Sequence, residues 1–135
     1  MQASTNDPIV VCPGSPVSSS TLPVQGGHKV ILSWKASAPP DAKHSAAFGY
    51  CIYRGLKSKD PARQLLNSKP FPGTSCIDDL VLNSQKYYYV VRAISLEGNT
   101  SDTSNEVPAV IPTAPLSSKV PAASAPLCRQ ASPTP

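Results

Sequence analysis

The stretch His28-Lys-Val-Ile-Leu-Ser-Trp-Lys-Ala-Ser37 decides the fold, because apolar and polar residues alternate along it with a period of two. Val30, Leu32 and Trp34 share one face, while Ile31, Ser33 and Lys35 share the other. The same period returns in Phe48-Gly-Tyr-Cys-Ile-Tyr-Arg-Gly55 and in Lys86-Tyr-Tyr-Tyr-Val-Val-Arg-Ala-Ile-Ser95, and it closes at Ser104-Asn-Glu-Val-Pro-Ala-Val-Ile-Pro112. In the second run Tyr50 and Ile52 are expected to face inward, with Cys51 and Tyr53 outward. In the third, Tyr87, Tyr89, Val91 and Ala93 face inward, with Tyr88, Val90, Arg92 and Ile94 outward. The turn formers Pro39-Pro40-Asp41, Lys59-Asp60-Pro61, Pro70-Phe-Pro-Gly73 and Glu97-Gly98-Asn99 separate these strands. No stretch carries a helical apolar stripe of useful length. Short strands around one large aromatic describe an all-β sandwich of two sheets.

Composition bounds the rest. At 135 residues the chain supports one core. Charged residues are only 15%, and there are 16 prolines, as suits a β-rich domain with irregular ends. Residues 1–27 are rich in Ser, Pro, Thr and Gly, with one short apolar stretch at Ile9-Val10-Val11, and read as an extension, partly ordered at most. Residues 28–112 carry the strands. Residues 113–135, rich in Pro, Ala and Ser, are expected to be a disordered linker or tail, too poor in apolar surface to offset their ordering entropy. A formal charge of +4 is far from that of a dedicated nucleic-acid binder. No apolar run approaches the ~20 residues of a membrane span. No signal peptide is legible, so the chain reads as a fragment or as one that has lost its export signal.

The ordered pieces together resemble a fibronectin type III domain of the bacterial secreted and surface type, an immunoglobulin-like sandwich of seven strands. The pieces are Val30-x-Leu32-Ser-Trp34, Gly49-Tyr50-x-Ile52-Tyr53-Arg54, Thr74-Ser-Cys-x-Asp78, Tyr87-Tyr-Tyr-Val-Val-x-Ala93 and Asn105-x-Val107-x-Ala109-x-Ile111-Pro112. The resemblance implies a core of Trp34, Tyr50 and Tyr87, with Tyr87 as a tyrosine corner whose hydroxyl bonds an upstream carbonyl. It also implies an extracellular spacer or binding module with no catalysis and no cofactor. Two departures stand out: Cys76 replaces a large residue, and Asn83-Ser84 replaces the common Pro-Gly.

The four cysteines, Cys12, Cys51, Cys76 and Cys128, are widely spaced and include no Cys-x-x-Cys, which favours disulfides over zinc. Three pairings are open. Cys51–Cys76 with Cys12–Cys128 is favoured, although parity puts Cys51 on an outer face. Cys12–Cys76 is the alternative if the N-terminal stretch lies on the other sheet.

The candidate partner surface is the outer face bearing Tyr53, Tyr88, Arg92 and Ile94, since exposed Tyr and Arg favour interfaces. The competing reading makes these residues cross-strand pairs that only stabilise the sheet. Arg54, Lys57, Lys59 and Arg63 form a basic cluster without stacking aromatics, and a solvated loop is expected there. Asp78 and Asp79, adjacent on a strand, point to opposite faces and cannot flank one bond. Asp78 is expected to bond backbone in the following turn. His28 and His44 neighbour no nucleophile in a recognised motif. Asn99-Thr-Ser101 fits a glycosylation acceptor by chance.

The expected function is therefore a non-catalytic spacer or protein-interaction module, secreted or on the cell surface and monomeric. Its partner would be a neighbouring domain, a protein or a glycan. The alternative is a carbohydrate-associated accessory module of a polysaccharide-degrading enzyme.

Overall fold

The computed structural model describes residues 10–17, 28–36, 49–113 and 125–129. The expected turn at Pro39-Pro40-Asp41, His44 and most of both extensions lie outside the described residues. Among the described residues the chain is all-β and without helix. Its strands are β1 (Val30–Ser33), β2 (Gly49–Gly55), β3 (Gln64–Leu65), β4 (Ser75–Asp78), β5 (Lys86–Ile94) and β6 (Val107–Val110). β1 pairs with β4 in one sheet, and the other runs β3-β2-β5-β6, with every pair antiparallel.

Six strands lie among the described residues, and residues 18–27 and 37–48, on either side of β1, lie outside them. Residues 10–17 do not run beside β1. They cross to the other sheet, where Pro16 forms a parallel bridge with Leu65. There Val17 N–H donates to the Leu65 carbonyl, and Leu65 N–H donates to that of Ser15.

Alternation places the core as expected. Leu32, Tyr50, Ile52, Tyr87 and Tyr89 are buried together between the sheets, while Ile31 is 60% exposed. Trp34 is half-buried at the edge of this cluster, edge-on to Tyr50 at 5.5 Å and to Phe71 at 6.1 Å. Such ring pairs contribute about 0.5–1.5 kcal/mol beyond their buried area.

Every residue of β2 is buried, because the sheet is covered on both sides. A second cluster of Cys12, Cys51, Tyr53, Leu65, Val90 and Ile94 lies beneath residues 10–17. Gly14, at φ +131°, carries that segment over Tyr53, where an added Cβ would stand 3.1 Å from the ring. Few residues other than glycine adopt that conformation.

The tyrosine corner takes a different form from the one expected. The Tyr87 hydroxyl accepts the Leu82 N–H at 3.0 Å, so its partner is an amide rather than a carbonyl. Ser84, in the turn before it, sits at φ 66°, the conformation glycine tolerates without cost. Ser84→Gly should therefore raise stability by about 0.5–1 kcal/mol. Urea unfolding would show this as a higher midpoint, and a lower one would mean that the serine side chain contributes to the turn.

Candidate interaction surfaces

Both disulfides tie a terminal segment to the sandwich. Cys12 bonds to Cys51, and Cys76 bonds to Cys128. The favoured pairing of Cys51 with Cys76 is thus corrected. Parity had put Cys51 on the outer face of β2, and its partner comes from residues lying on that face. Cys76 points inward, opposite Leu32, and Cys128 reaches it from the β4 edge. There Ile77 N–H donates to the Pro126 carbonyl, and Cys128 N–H donates to that of Ile77. Residues 125–129, expected in the tail, therefore pack on the domain.

The candidate partner surface is largely closed. Tyr53 is 8% exposed and Ile94 0%, and only Tyr88 and Arg92 remain half-buried. The cause is residues 10–17. The Tyr53 hydroxyl donates to the Pro13 carbonyl at 2.6 Å, and burial raises its pKa against the lowering effect of Arg92. Cys12 N–H donates to the Ser68 carbonyl. Lys86 lies over the Tyr88 ring, with its Nζ 5.2 Å from the centroid. Arg92 donates to the Ser101 carbonyl at 2.7 Å.

The basic cluster also disperses. Arg54 points into the core, where its Nη1 donates to Asp78 Oδ2 at 2.9 Å and to the Leu80 carbonyl at 2.8 Å. Its guanidinium lies 4.4 Å from the Tyr87 ring centroid. Asp78 further accepts the Tyr89 hydroxyl at 2.6 Å and, as the expected turn contact, the Leu80 N–H at 3.1 Å. Burial first, and then the Asp78 charge, raise the Tyr89 hydroxyl far above the ordinary phenol range. Arg63 donates to Glu106, which also accepts Ser58 Oγ and the Lys59 N–H. The Lys59 amide and then Arg63 hold the Glu106 carboxyl below its usual range.

Asp79 points away from Asp78 and receives two bonds of 2.8 Å from Arg129. Those bonds lower its pKa from 3.8, against burial, which raises it. A carboxylate depressed in the folded state stabilises the fold above its unfolded pKa. The contribution is lost as pH falls through the lower folded value. Unfolding midpoints followed from about pH 5 to about pH 2 should thus show an acid-dependent loss that is smaller in Asp79→Asn. Identical profiles would mean that the tie to Arg129 contributes nothing.

Among the described residues one side of the sandwich carries a groove. It has a volume of about 570 Å³ and runs between β1 and residues 101–107, lined by Trp34, Tyr89, Val91 and Ala93 beneath Ser101, Asp102 and Ser104. A second cleft, of about 520 Å³, lies between Phe71 and Pro126. Among the described residues no helix is long and apolar enough to cross a membrane, and no three metal-ligating side chains converge. Sequence reading missed the groove because its two walls, β1 and residues 101–107, stand far apart in the chain and are brought together only by the packing of the sheets.

Comparison with known proteins gives the fold and no ligand. No family model and no curated protein matches the chain. Among solved structures it is similar to a Fn3-like protein from Clostridium thermocellum, at 27% identity and a TM-score of 0.51. The match covers 73% of this chain and 86% of that one. The two sheets packed about Leu32, Tyr50 and Tyr87 agree with that likeness, and the chain is a fibronectin type III-like domain, an immunoglobulin-type β-sandwich.

Proposed function

We propose that this chain is a non-catalytic spacer or protein-interaction module of a secreted or cell-surface protein. The observation that carries this reading is the pair of disulfides, one holding residues 10–17 and the other residues 125–129 to the sandwich. Both segments through which the domain would join its neighbours are covalently fixed to it. Tension applied at either end therefore meets a cross-linked body rather than a strand that can peel away. Such bonds persist in oxidising compartments, which supports a place outside the cytoplasm. Fibronectin type III-like folds serve in general as modules, and functions reside in sites placed upon them.

A role as a carbohydrate-associated accessory module would call for exposed, coplanar aromatics. Tyr53 is buried and Tyr88 lies half-buried beside Lys86, so among the described residues the outer face offers no such aromatic platform. The test is the intact mass of protein taken from its native source, alkylated before and after reduction. The module reading expects all four cysteines to react only after reduction. Four thiols reactive from the outset would contradict it.

A further inference from the structure

The two disulfides fix where a pull on this domain can act. Cys12 and Cys128 stand 116 positions apart, and the bonds bridge stretches of 39 and 52 of those positions. The bridged stretches do not overlap, so 25 positions remain between Cys51 and Cys76. A load that enters ahead of Cys12 crosses the first bond to Cys51, follows the main chain to Cys76 and leaves through Cys128. β1, β5 and β6 lie inside the bridged stretches, off this path. On it lie β2 from Cys51 onward, β3 and the first two residues of β4. We propose that the chain is a spacer of limited stretch, in which residues 51–76 alone lengthen under tension. The inference rests on the module reading and states how such a module bears load.

The path crosses the sandwich, since Cys51 lies in the four-stranded sheet and Cys76 in the two-stranded one. A pull therefore works against every contact that holds residues 51–76 to the rest. β2 is paired with β5 from the Cys51/Arg92 pair to the Gly55/Tyr88 pair. Arg54 donates to Asp78 Oδ2 and to the Leu80 carbonyl, both beyond Cys76. The Tyr53 hydroxyl donates to the Pro13 carbonyl, inside the first bridged stretch.

Once these contacts give way, covalent length sets the limit. At about 3.3–3.6 Å per residue, the 25 positions reach at most about 90 Å. Unbridged, the 116 positions would reach about 400 Å. The limit is also protected. Cys51, Cys76 and Cys128 are 0% exposed and Cys12 5%, so a dissolved thiol reaches neither bond while the body is folded.

The experiment stretches the full chain, disulfides intact, between handles at its two ends in an optical trap. Unfolding should lengthen the part between Cys12 and Cys128 by less than about 90 Å. A small dithiol is then added at constant load. For each bond it opens, it leaves as its own disulfide while its two hydrogens pass to the cysteine sulfurs. Two further gains are expected, in either order, of about 135 Å and about 180 Å, the lengths of the bridged 39 and 52 positions. Cys12→Ala/Cys51→Ala should show only the longer of these after the dithiol, with the shorter already contained in its unfolding gain.

No gain before the dithiol would overturn the proposal, because Cys12 would then be bonded to Cys128 and no residue between them would carry load. Dithiol gains of any other lengths would overturn it too, since they require a different pairing of the same cysteines. Either result with all four cysteines blocked before reduction leaves the module reading standing. Four free thiols, with one unfolding gain of about 400 Å, would remove both.

Discussion

Asp78→Ala is expected to cost about 3–5 kcal/mol of stability, the largest loss from any single substitution considered for this chain. The Arg54 and Asp78 side chains are 5% and 1% exposed, so removing the carboxylate leaves a guanidinium buried against the Tyr87 ring without its counter-ion. The Tyr89 hydroxyl and the Leu80 N–H lose their acceptor in the same step. Domains of this size are stable by about 5–15 kcal/mol, so the variant would be marginal.

The pair's contribution comes less from Coulomb attraction than from the cost of an unpaired buried charge. The double replacement Arg54→Met/Asp78→Leu should therefore cost less than Asp78→Ala alone. Urea unfolding of the three proteins decides the matter. A loss below about 1 kcal/mol in Asp78→Ala would mean that water reaches the guanidinium and that the site is not dry.

Cys12→Ala/Cys51→Ala is expected to cost about 3–4 kcal/mol. The bond closes a loop with a sequence separation of 39, and it also holds residues 10–17 over Tyr53, Val90 and Ile94. Without it that cover keeps the Tyr53–Pro13 hydrogen bond and the pairing with Leu65. Each of these contributes only about 1 kcal/mol. The amides of residues 12, 17 and 65 should exchange faster with solvent, and an apolar dye should bind the uncovered face. An unchanged exchange pattern would show that packing alone holds the segment. The partner surface expected at Tyr53, Tyr88, Arg92 and Ile94 would be created by this variant, since the intact protein closes it.

The inward faces were legible because period-two alternation is a local property: Leu32, Tyr50, Ile52, Tyr87 and Tyr89 all lie where parity puts them. Parity tells which side a residue faces and says nothing of what covers that side. It placed Cys51, Tyr53, Val90 and Ile94 correctly on the outer side. Their burial follows from residues 10–17, a non-local contact that no short window encodes. A usable signal was present, since an outward cysteine needs a partner off the sheet and Cys12 directly follows Ile9-Val10-Val11, the apolar stretch of the N-terminal extension.

Arg54 carried a similar signal. It shares the inward parity of Tyr50 and Ile52, and an arginine in a core requires an acid such as Asp78. Grouping it with Lys57, Lys59 and Arg63 by nearness in the chain obscured this. In the tail, the surrounding Pro, Ala and Ser residues averaged out Leu127 and Cys128, the two that dock against β4.

The account turns on the covalent fastening of both terminal segments, and disulfide mapping tests it most directly. Trypsin cuts at Lys29, Lys35, Arg54, Arg63, Lys86 and Arg92 leave each cysteine on its own peptide. A non-reduced digest should yield the peptide of Cys12 joined to that of Cys51, and the peptide of Cys76 joined to that of Cys128. A peptide joining Cys51 to Cys76 would contradict the account, because it would free both terminal segments and uncover the outer face of the four-stranded sheet.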